Sequence, residues 1–307
     1  MLLLVAGLLP SCSIKKMAVK GMADQLSTGP DVFSSDEDPD LVRDAVPFGL
    51  KTMETLLQTL PEHKGLLLGL CRGFTQYSYA FVQADADAIE ATNYARAEEI
   101  RVRARKLFVR ARDYGLRGLE VDYKGITKQL SLSPDSAANR VGVKGVPLLF
   151  WTAAAWGSAI SLGKDQPELV ADLPAVRSMM NRGVQLDEGY EQGAMHEALI
   201  LLDALPPAMG GSPDRARQHF DRAIALSHGT RPGPYVTMAS SIDVMTQNRK
   251  EFRELLNKAL AIDPNRDPNT RLQTIVTQQK AQALLARESE LFLDDEGADS
   301  LATEGKH

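Results

Sequence analysis

One pattern in the second half of the chain restricts the fold more than any other feature. Its two copies read Ala216-x3-Phe220-x2-Ala223 and Phe252-x3-Leu256-x2-Ala259. A small residue lets two helices approach closely, and a large apolar residue nearby fills the space beside it. Pro264 then stops the second helix before the next one begins. Self-similarity at this spacing predicts an array of tetratricopeptide (TPR) type helix pairs.

The remainder of the chain supports an all-α fold. The same pattern occurs a third time, as Ala104-x3-Phe108-x2-Ala111, and apolar residues do not alternate over any sustained run. Aromatic residues make up only 6% of the 307 residues, which suits helices packed with leucine and alanine. We predict a TPR-like helical repeat array (an α-solenoid) in which a last helix, starting at Asp267-Pro268, caps the open end.

Composition and helix signals divide the chain into four segments. We predict a lipoprotein signal segment over 1–12, a flexible tether over 13–37, the TPR-like helical domain over 38–293 and a disordered acidic tail over 294–307. The domain begins at Asp38-Pro39, an N-cap followed by a proline in the first turn. The tail is acidic and built from small residues, a composition that does not form a packed core.

The two cysteines have different expected roles. Leu9-Pro10-Ser11-Cys12 follows an apolar run and resembles a bacterial lipobox, which predicts that Cys12 is diacylated and becomes the mature N-terminus. An ordinary apolar N-terminus with a chance cysteine is the alternative. Cys71 lies in a leucine-rich helix and is expected to be an inert buried thiol. We expect no disulfide between the two.

Proline and glycine mark several features within the helical domain. Pro47 should break or kink the first helix, and the segment 131–145 reads as a loop. Gly65, Gly69 and Gly73 recur at four-residue spacing, which predicts that two helices pack closely there. The strongly apolar helix that starts at Val146-Pro147 should lie at the centre of the array.

The charge distribution argues against nucleic acid. The net charge is −5, and acidic residues between positions 85 and 99 lie close in sequence to the many arginines between positions 101 and 117. Residues two positions apart do not share a helix face, so we expect a solvated and partly ion-paired helix. A docking surface for an acidic protein partner is the alternative.

Motifs for catalysis or cofactor binding are absent from the sequence. His196-Glu197 would need a second histidine at position 200 for a zinc protease, and Ile200 stands there. Five scattered histidines and two distant cysteines do not predict a structural zinc site. We therefore predict that the protein is not an enzyme and requires no cofactor or metal.

Recognition is the remaining role, and residues suited to a ligand groove lie in the middle of the chain. The aromatic candidates, with two polar neighbours, are Trp151, Trp156, Tyr190, Tyr77, Tyr79, His196 and Arg72. For each aromatic residue, ordinary core packing is the competing interpretation. Trp151 and Trp156 lie about 140° apart around a helix, so they cannot face the same neighbour.

The sequence as a whole resembles the TatT component family. Members of this family are TPR-containing lipoproteins associated with tripartite ATP-independent periplasmic (TRAP) transporters. The stretches that carry the resemblance are 38–47, 103–114, 146–151 with 155–157, the Gly210-Gly211 turn with Ala216, Arg217, His219 and Phe220, and 280–285. The resemblance implies a periplasm-facing lipoprotein that forms a homotrimer. It also implies docking to the transporter's substrate-binding subunit, with apolar channels that hand over a hydrophobic ligand.

Two hypotheses follow. In the first, the protein assists transport, handles a small hydrophobic ligand and has an apolar cavity lined by Trp151 or Trp156. In the second, it is a generic TPR envelope scaffold with a polar groove for a protein or peptide and buried tryptophans. In both, the membrane is reached only through the lipid on Cys12, and Ser13 after Cys12 favours the outer membrane over the inner one.

Overall fold

The computed structural model describes residues 11–28 and 31–293, and throughout these ranges the regular structure is helical. The first half contains α1 (Ser11–Thr28), α2 (Pro39–Thr59), α3 (Lys64–Tyr77), α4 (Ala84–Ile89), α5 (Tyr94–Asp122), α6 (Ile126–Leu132), α7 (Pro134–Asn139) and α8 (Val146–Ser161). The second half contains α9 (Pro167–Val170), α10 (Leu173–Leu186), α11 (Ala194–Asp203), α12 (Pro213–Ser227), α13 (Gly233–Met238), α14 (Arg249–Leu260), α15 (Arg271–Ala286) and α16 (Glu288–Leu291). The predicted all-α class is confirmed for the described part of the chain.

Two stretches of wide π-helix extend these elements. Ser78–Gln83 joins α3 to α4 without a break, and Ala239–Asp243 continues α13. Such stretches frequently occur at functional positions. The first one carries Tyr79.

Helices that follow one another in sequence pack against one another. In the first half α5 lies between α3 and α8, and α8 in turn packs against α10. The apolar α8 is buried around most of its circumference, as its sequence predicts, and contributes many residues to the largest apolar cluster. In the second half α11 packs against α12, and α14 against α15.

The repeated small-large-small pattern is buried in all three copies. Ala104, Phe108 and Ala111 of α5 are inaccessible to solvent, and so are Phe252, Leu256 and Ala259 of α14. In α12 the corresponding residues Ala216, Phe220 and Ala223 are also buried. The pattern therefore marks the packing face of each helix, although it does not fix the curvature of the array.

Several local predictions are confirmed at the level of single residues. The Asp38 carboxylate accepts hydrogen bonds from the backbone N–H groups of Asp40 and Leu41. Ser212 caps α12 in the same way through the N–H of Arg215. These acceptors satisfy backbone donors that have no partner within the helix.

Two local predictions need revision. Pro47 does not break α2, and the buried residues on both sides of the proline, Val42 and Leu50, maintain the helix despite the lost hydrogen bond. A kink at Pro47 stays a prediction. The segment 131–145 is not a simple loop either, because α7 forms within it. Pro134 occupies the first turn of α7, a position that proline favours.

The predicted segments at the two ends have different outcomes. Residues 11–28 form a helix, rather than part of a flexible tether, and its Ala23 is fully buried in a cluster with α2 and α3. Apolar contacts thus order this part of the segment in spite of its many charges. Cys12 belongs to this helix, but its side chain and the signal segment 1–10 lie outside the described residues, as does the tail 294–307.

The last long helix returns to the beginning of the domain. The backbone N–H of Leu272 donates to the carbonyl oxygen of Ser34 at 3.1 Å, and the Arg271 guanidinium donates to the carbonyl oxygen of Ser35 at 3.2 Å. At the other end of α15, Arg287 lies 3.7 Å from Glu90. The helix expected to cap an open end therefore also joins the two ends of the array.

None of the helices within 11–28 and 31–293 combines the length and apolar character needed to cross a membrane.

Candidate functional site

Helix α15 contacts the beginning of the domain, and we call this contact the closure of the array. The closure brings charged side chains from distant helices close together. The Lys280 ammonium of α15 donates a hydrogen bond to the Tyr79 hydroxyl at 2.8 Å and lies 4.9 Å from the centre of the Tyr79 ring. Burial lowers the pKa of Lys280, but Tyr79, Asp87 and Glu197 together outweigh burial, so the pKa is raised. Lys280 therefore remains charged at neutral pH.

Glu197 of α11 is the acidic counterpart of Lys280. Burial raises the pKa of its carboxyl group, and Arg231, Thr237 and Lys280 oppose the rise without cancelling it. The Thr237 hydroxyl donates to the carboxylate at a long 3.4 Å. Gly233 permits this arrangement, because a Cβ atom there would lie within 2.7 Å of the Glu197 carboxylate carbon.

Asp87 of α4 completes the group, and we refer to Tyr79, Asp87, Glu197 and Lys280 as the interior site. Burial raises the pKa of Asp87, whereas Lys280 and then Arg101 lower it. Lys280 and Glu197 are partly buried, whereas the Tyr79 residue is 44% exposed and the Asp87 side chain is 44% exposed. The four residues therefore form a site that solvent reaches.

This arrangement is suited to holding a ligand. Lys280 has three N–H donors, and the hydrogen bond to Tyr79 uses one of them. The Glu197 carboxylate has only the long contact from Thr237. Electrostatic interactions become stronger where protein replaces water around a charge, so both groups can hold the polar part of a small ligand.

Of the residues predicted for a ligand groove, Tyr79 is the one that belongs to the interior site. Arg72 lies seven positions earlier, on the same face of the helix, and forms an ion pair with Asp31 at 2.8 Å. Arg72 also lies close enough to Tyr190 to lower its pKa, although burial and Glu191 raise that pKa overall. The structure thus places Arg72 within electrostatic reach of Tyr190.

The tryptophans occupy two separate places in the core. Trp151 is 8% exposed, stacks edge-on against Phe150 at 5.0 Å and lies beside the Tyr190 hydroxyl. Trp156 is 3% exposed, with the Arg112 guanidinium 5.2 Å from its ring centre. The expectation that the two rings face different neighbours is confirmed. Tyr77 is also a packing residue, half-buried against Phe81 at 5.7 Å.

His196 points away from the interior site, toward α12. Its ring is buried, with Nδ1 2.8 Å from Nδ1 of His219 and Nε2 3.1 Å from the Glu188 carboxylate. Glu188 is held in turn by Arg222 at 2.6 Å. A role for His196 in a groove shared with the tryptophans remains a prediction that these contacts do not support.

Sequence reasoning missed the two residues that dominate the interior site. Glu197 appeared only as the neighbour of His196, and Lys280 only as part of a family-like stretch. The available signal was a single charge within an otherwise apolar run, as at Glu197 between Met195 and Leu202. A lone charge in such a run indicates a buried polar contact, but it does not reveal the partner.

Within the part of the chain that the structure describes, no group of three or more histidine, cysteine or acidic side chains is arranged to hold a metal ion.

Comparison with known proteins gives two matches. A family model described as TRAP transporter T-component matches residues 35–292. An uncharacterized protein of Treponema pallidum (strain Nichols) is 30% identical over 302 residues, which cover 92% of this chain and 94% of that protein. The family model extends across nearly all of the helical domain, including every residue of the interior site.

Proposed function

Because the chain belongs to the T-component family of TRAP transporters, and is thus an accessory component of such a transporter, we propose a specific role. The protein binds the substrate-binding subunit of the transporter on the periplasmic side and holds a small hydrophobic ligand inside the helical array. It acts as a homotrimer anchored to the membrane, more specifically the outer membrane, through lipid on Cys12. It performs no catalysis.

The observation that carries the ligand proposal is the pair of partly buried ionisable groups, Lys280 and Glu197. Burying an ionisable group costs free energy unless it is paired or hydrogen-bonded. Both groups have hydrogen-bonding capacity that neighbouring residues leave unused. A ligand with a polar group and an apolar body would complete these hydrogen bonds and shield both groups from water.

Native mass spectrometry of the purified protein tests this proposal. We expect a small-molecule adduct on each subunit, and we expect Lys280→Met and Glu197→Gln to remove it. Lys250→Met is the matched control, because Lys250 is exposed on α14 and makes no ion pair. An adduct that survives both interior substitutions would place the ligand elsewhere, and the absence of any adduct would refute the ligand role.

The partner and the assembly are tested separately. Sedimentation of the protein alone should give a trimer, and addition of the cognate substrate-binding subunit should give a larger species. A monomer that does not bind this subunit would leave only the general association with a TRAP transporter. Loss of fatty-acid labelling and of membrane association in Cys12→Ser would support the lipid anchor, and unchanged labelling would refute it.

One observation favours the second candidate function, an envelope scaffold that binds a peptide or protein. Both tryptophans are buried, as that hypothesis requires, and the interior face carries charges. The closure of the array by α15 argues for a small molecule instead, because a long peptide needs an open groove. Binding of a peptide that is abolished by Lys280→Met would reverse this preference.

A further inference from the structure

A chain of four titratable groups crosses the seam between α11 and α12, outside the interior site. In order it contains Glu188, His196, His219 and Asp203. The Glu188 carboxylate lies 3.1 Å from Nε2 of His196, and the two histidine Nδ1 atoms lie 2.8 Å apart. Nε2 of His219 lies 3.7 Å from Oδ2 of Asp203. Two imidazoles are therefore placed between two carboxylates.

The hydrogen-bond partners determine where the protons lie. The Arg222 guanidinium, helped by His196 and opposed by burial, holds the pKa of Glu188 down at about 2. This carboxylate therefore only accepts hydrogen bonds. Nε2 of His196 must then carry a proton, and in a neutral ring its Nδ1 must accept. The Nδ1 of His219 consequently donates to His196. A neutral His219 is left with a bare Nε2.

That bare nitrogen faces an oxygen that also lacks a proton. Asp203 is fully buried, and its Oδ1 accepts from Arg177 at 2.7 Å and from Arg215 at 2.9 Å. Its Oδ2 has no hydrogen-bond partner. Two lone pairs therefore face each other at the end of the chain. A buried oxygen without a partner is costly and requires an explanation.

We infer that the gap between Nε2 of His219 and Oδ2 of Asp203 is a proton-binding site, and that the two histidines take up one proton between them. The four groups make three contacts, and two neutral imidazoles supply protons for only two of them. One added proton completes the third contact. A second added proton would place hydrogens on both Nδ1 atoms, which lie too close together to tolerate it.

The charged groups around the histidines set the pH at which the proton enters. Burial lowers the pKa of both rings, Arg222 acts in the same direction on His196, and Arg215 and Arg177 do so on His219. Glu188 and Asp203 raise the pKa of the ring that each faces. Because the pKa of both rings is lowered overall, uptake occurs below the ordinary imidazole pKa of about 6.5.

The inference is tested by nitrogen NMR of the histidine rings in the intact protein, from pH 8 to pH 4.5. At pH 8 we expect His196 protonated on Nε2 and His219 protonated on Nδ1. On acidification both rings should shift with one common midpoint and one proton in total. The opposite tautomers, or two independent one-proton titrations, would overturn the inference.

Asp203→Asn supplies a decisive variant. The amide oxygen can still accept from Arg177 and Arg215, while its N–H₂ group can donate to Nε2 of His219 and so replace the missing proton. We expect the shared titration to disappear from the range studied, with the pH 8 tautomers retained. Asp221→Asn, at an exposed position on α12, is the control and should titrate like the natural protein. An unchanged midpoint in a folded Asp203→Asn protein would refute the proton-binding site.

Discussion

At the scale of single residues, Asp243 carries the clearest conflict between charge and burial. It is 1% exposed, and neither carboxylate oxygen has a hydrogen-bond partner. The nearest cation, Arg217, is 4.0 Å away and forms its closer ion pair, at 2.6 Å, with Glu251. Burial and, to a smaller extent, the nearby Glu251 carboxylate raise the pKa of Asp243 to about 7. The group is therefore half protonated near neutral pH.

This shift predicts a pH-dependent effect of Asp243→Asn. Between about pH 4 and pH 7 the folded protein holds a proton that the unfolded chain releases, so folding stability falls as pH rises through this range. Above pH 7 the full cost of the buried charge is present. The asparagine removes that cost, and we expect urea unfolding to show a gain of roughly 1–4 kcal/mol at pH 8.

At pH 4 the same substitution should have a much smaller effect, because the carboxyl group is then protonated in the folded protein and carries no buried charge. Asp221→Asn, on the surface of α12, should leave the difference between pH 4 and pH 8 unchanged. An Asp243→Asn protein that is no more stable at pH 8 than the natural protein would show that the charge is relieved by a contact that the structure lacks.

Residue-level features were predictable where they depend on neighbours in sequence. The N-caps at Asp38 and Ser212 follow from local backbone chemistry. Cys71 was expected to be inert, and burial does raise the pKa of its thiol to about 12. The electrostatic interaction between Glu197 and Lys280 was not predictable, because it depends on how far the array curves before its ends meet.

At the scale of elements, α5 and α8 approach each other closely at Gly115. Gly115 of α5 faces Thr152 of α8, and a Cβ atom at Gly115 would lie 2.1 Å from the Thr152 hydroxyl and 2.9 Å from the sulfur of Cys71. The branched Thr152 side chain is fully buried and has little freedom to move away. Glycine is required here by the close approach of the two helices.

Gly115→Ala is therefore expected to destabilise the protein, even though alanine favours helix. Overpacking costs about 1–3 kcal/mol and the gain in helix propensity is about 1 kcal/mol, which leaves a net loss of up to about 2 kcal/mol. Gly49→Ala in α2 is the matched control, because no atom lies within 4 Å of the added Cβ. Thermal unfolding should show a lower midpoint for Gly115→Ala and an unchanged or higher midpoint for Gly49→Ala. Equal midpoints would mean that the crossing relaxes freely.

Close packing along the glycine series of α3 was predicted from its spacing, and the structure supplies its partners. Gly65 faces Ser27 of α1, while Gly69 and Gly73 face Met53 and Leu50 of α2. The repeat signature was equally informative, because its residues are the ones that pack between helices. Helix α1 was missed because its charged sequence has no strong periodicity, and burial of residues such as Ala23 orders it.

At the scale of the whole molecule, the decisive feature is that the last long helix contacts the first ones. Sequence periodicity identifies packing faces, but the curvature of an array depends on small rotations that accumulate from one helix pair to the next. The sequence therefore predicted a capping helix and could not predict where that helix would lie. In the structure α15 reaches Ser34, Ser35 and Tyr79, so the closure itself creates the interior site.

The closure predicts an energetic coupling between residues at opposite ends of the chain. Tyr79 and Lys280 share a hydrogen bond at 2.8 Å and a cation–π contact. A double-mutant cycle with Tyr79→Phe and Lys280→Met should give a coupling energy of about 0.5–3 kcal/mol in urea unfolding, the range found for residues in contact. The control cycle of Tyr79→Phe with Lys250→Met should be additive to within about 0.5 kcal/mol, since Lys250 is an exposed residue of α14. Additivity in both cycles would mean that the two ends of the array are independent in solution.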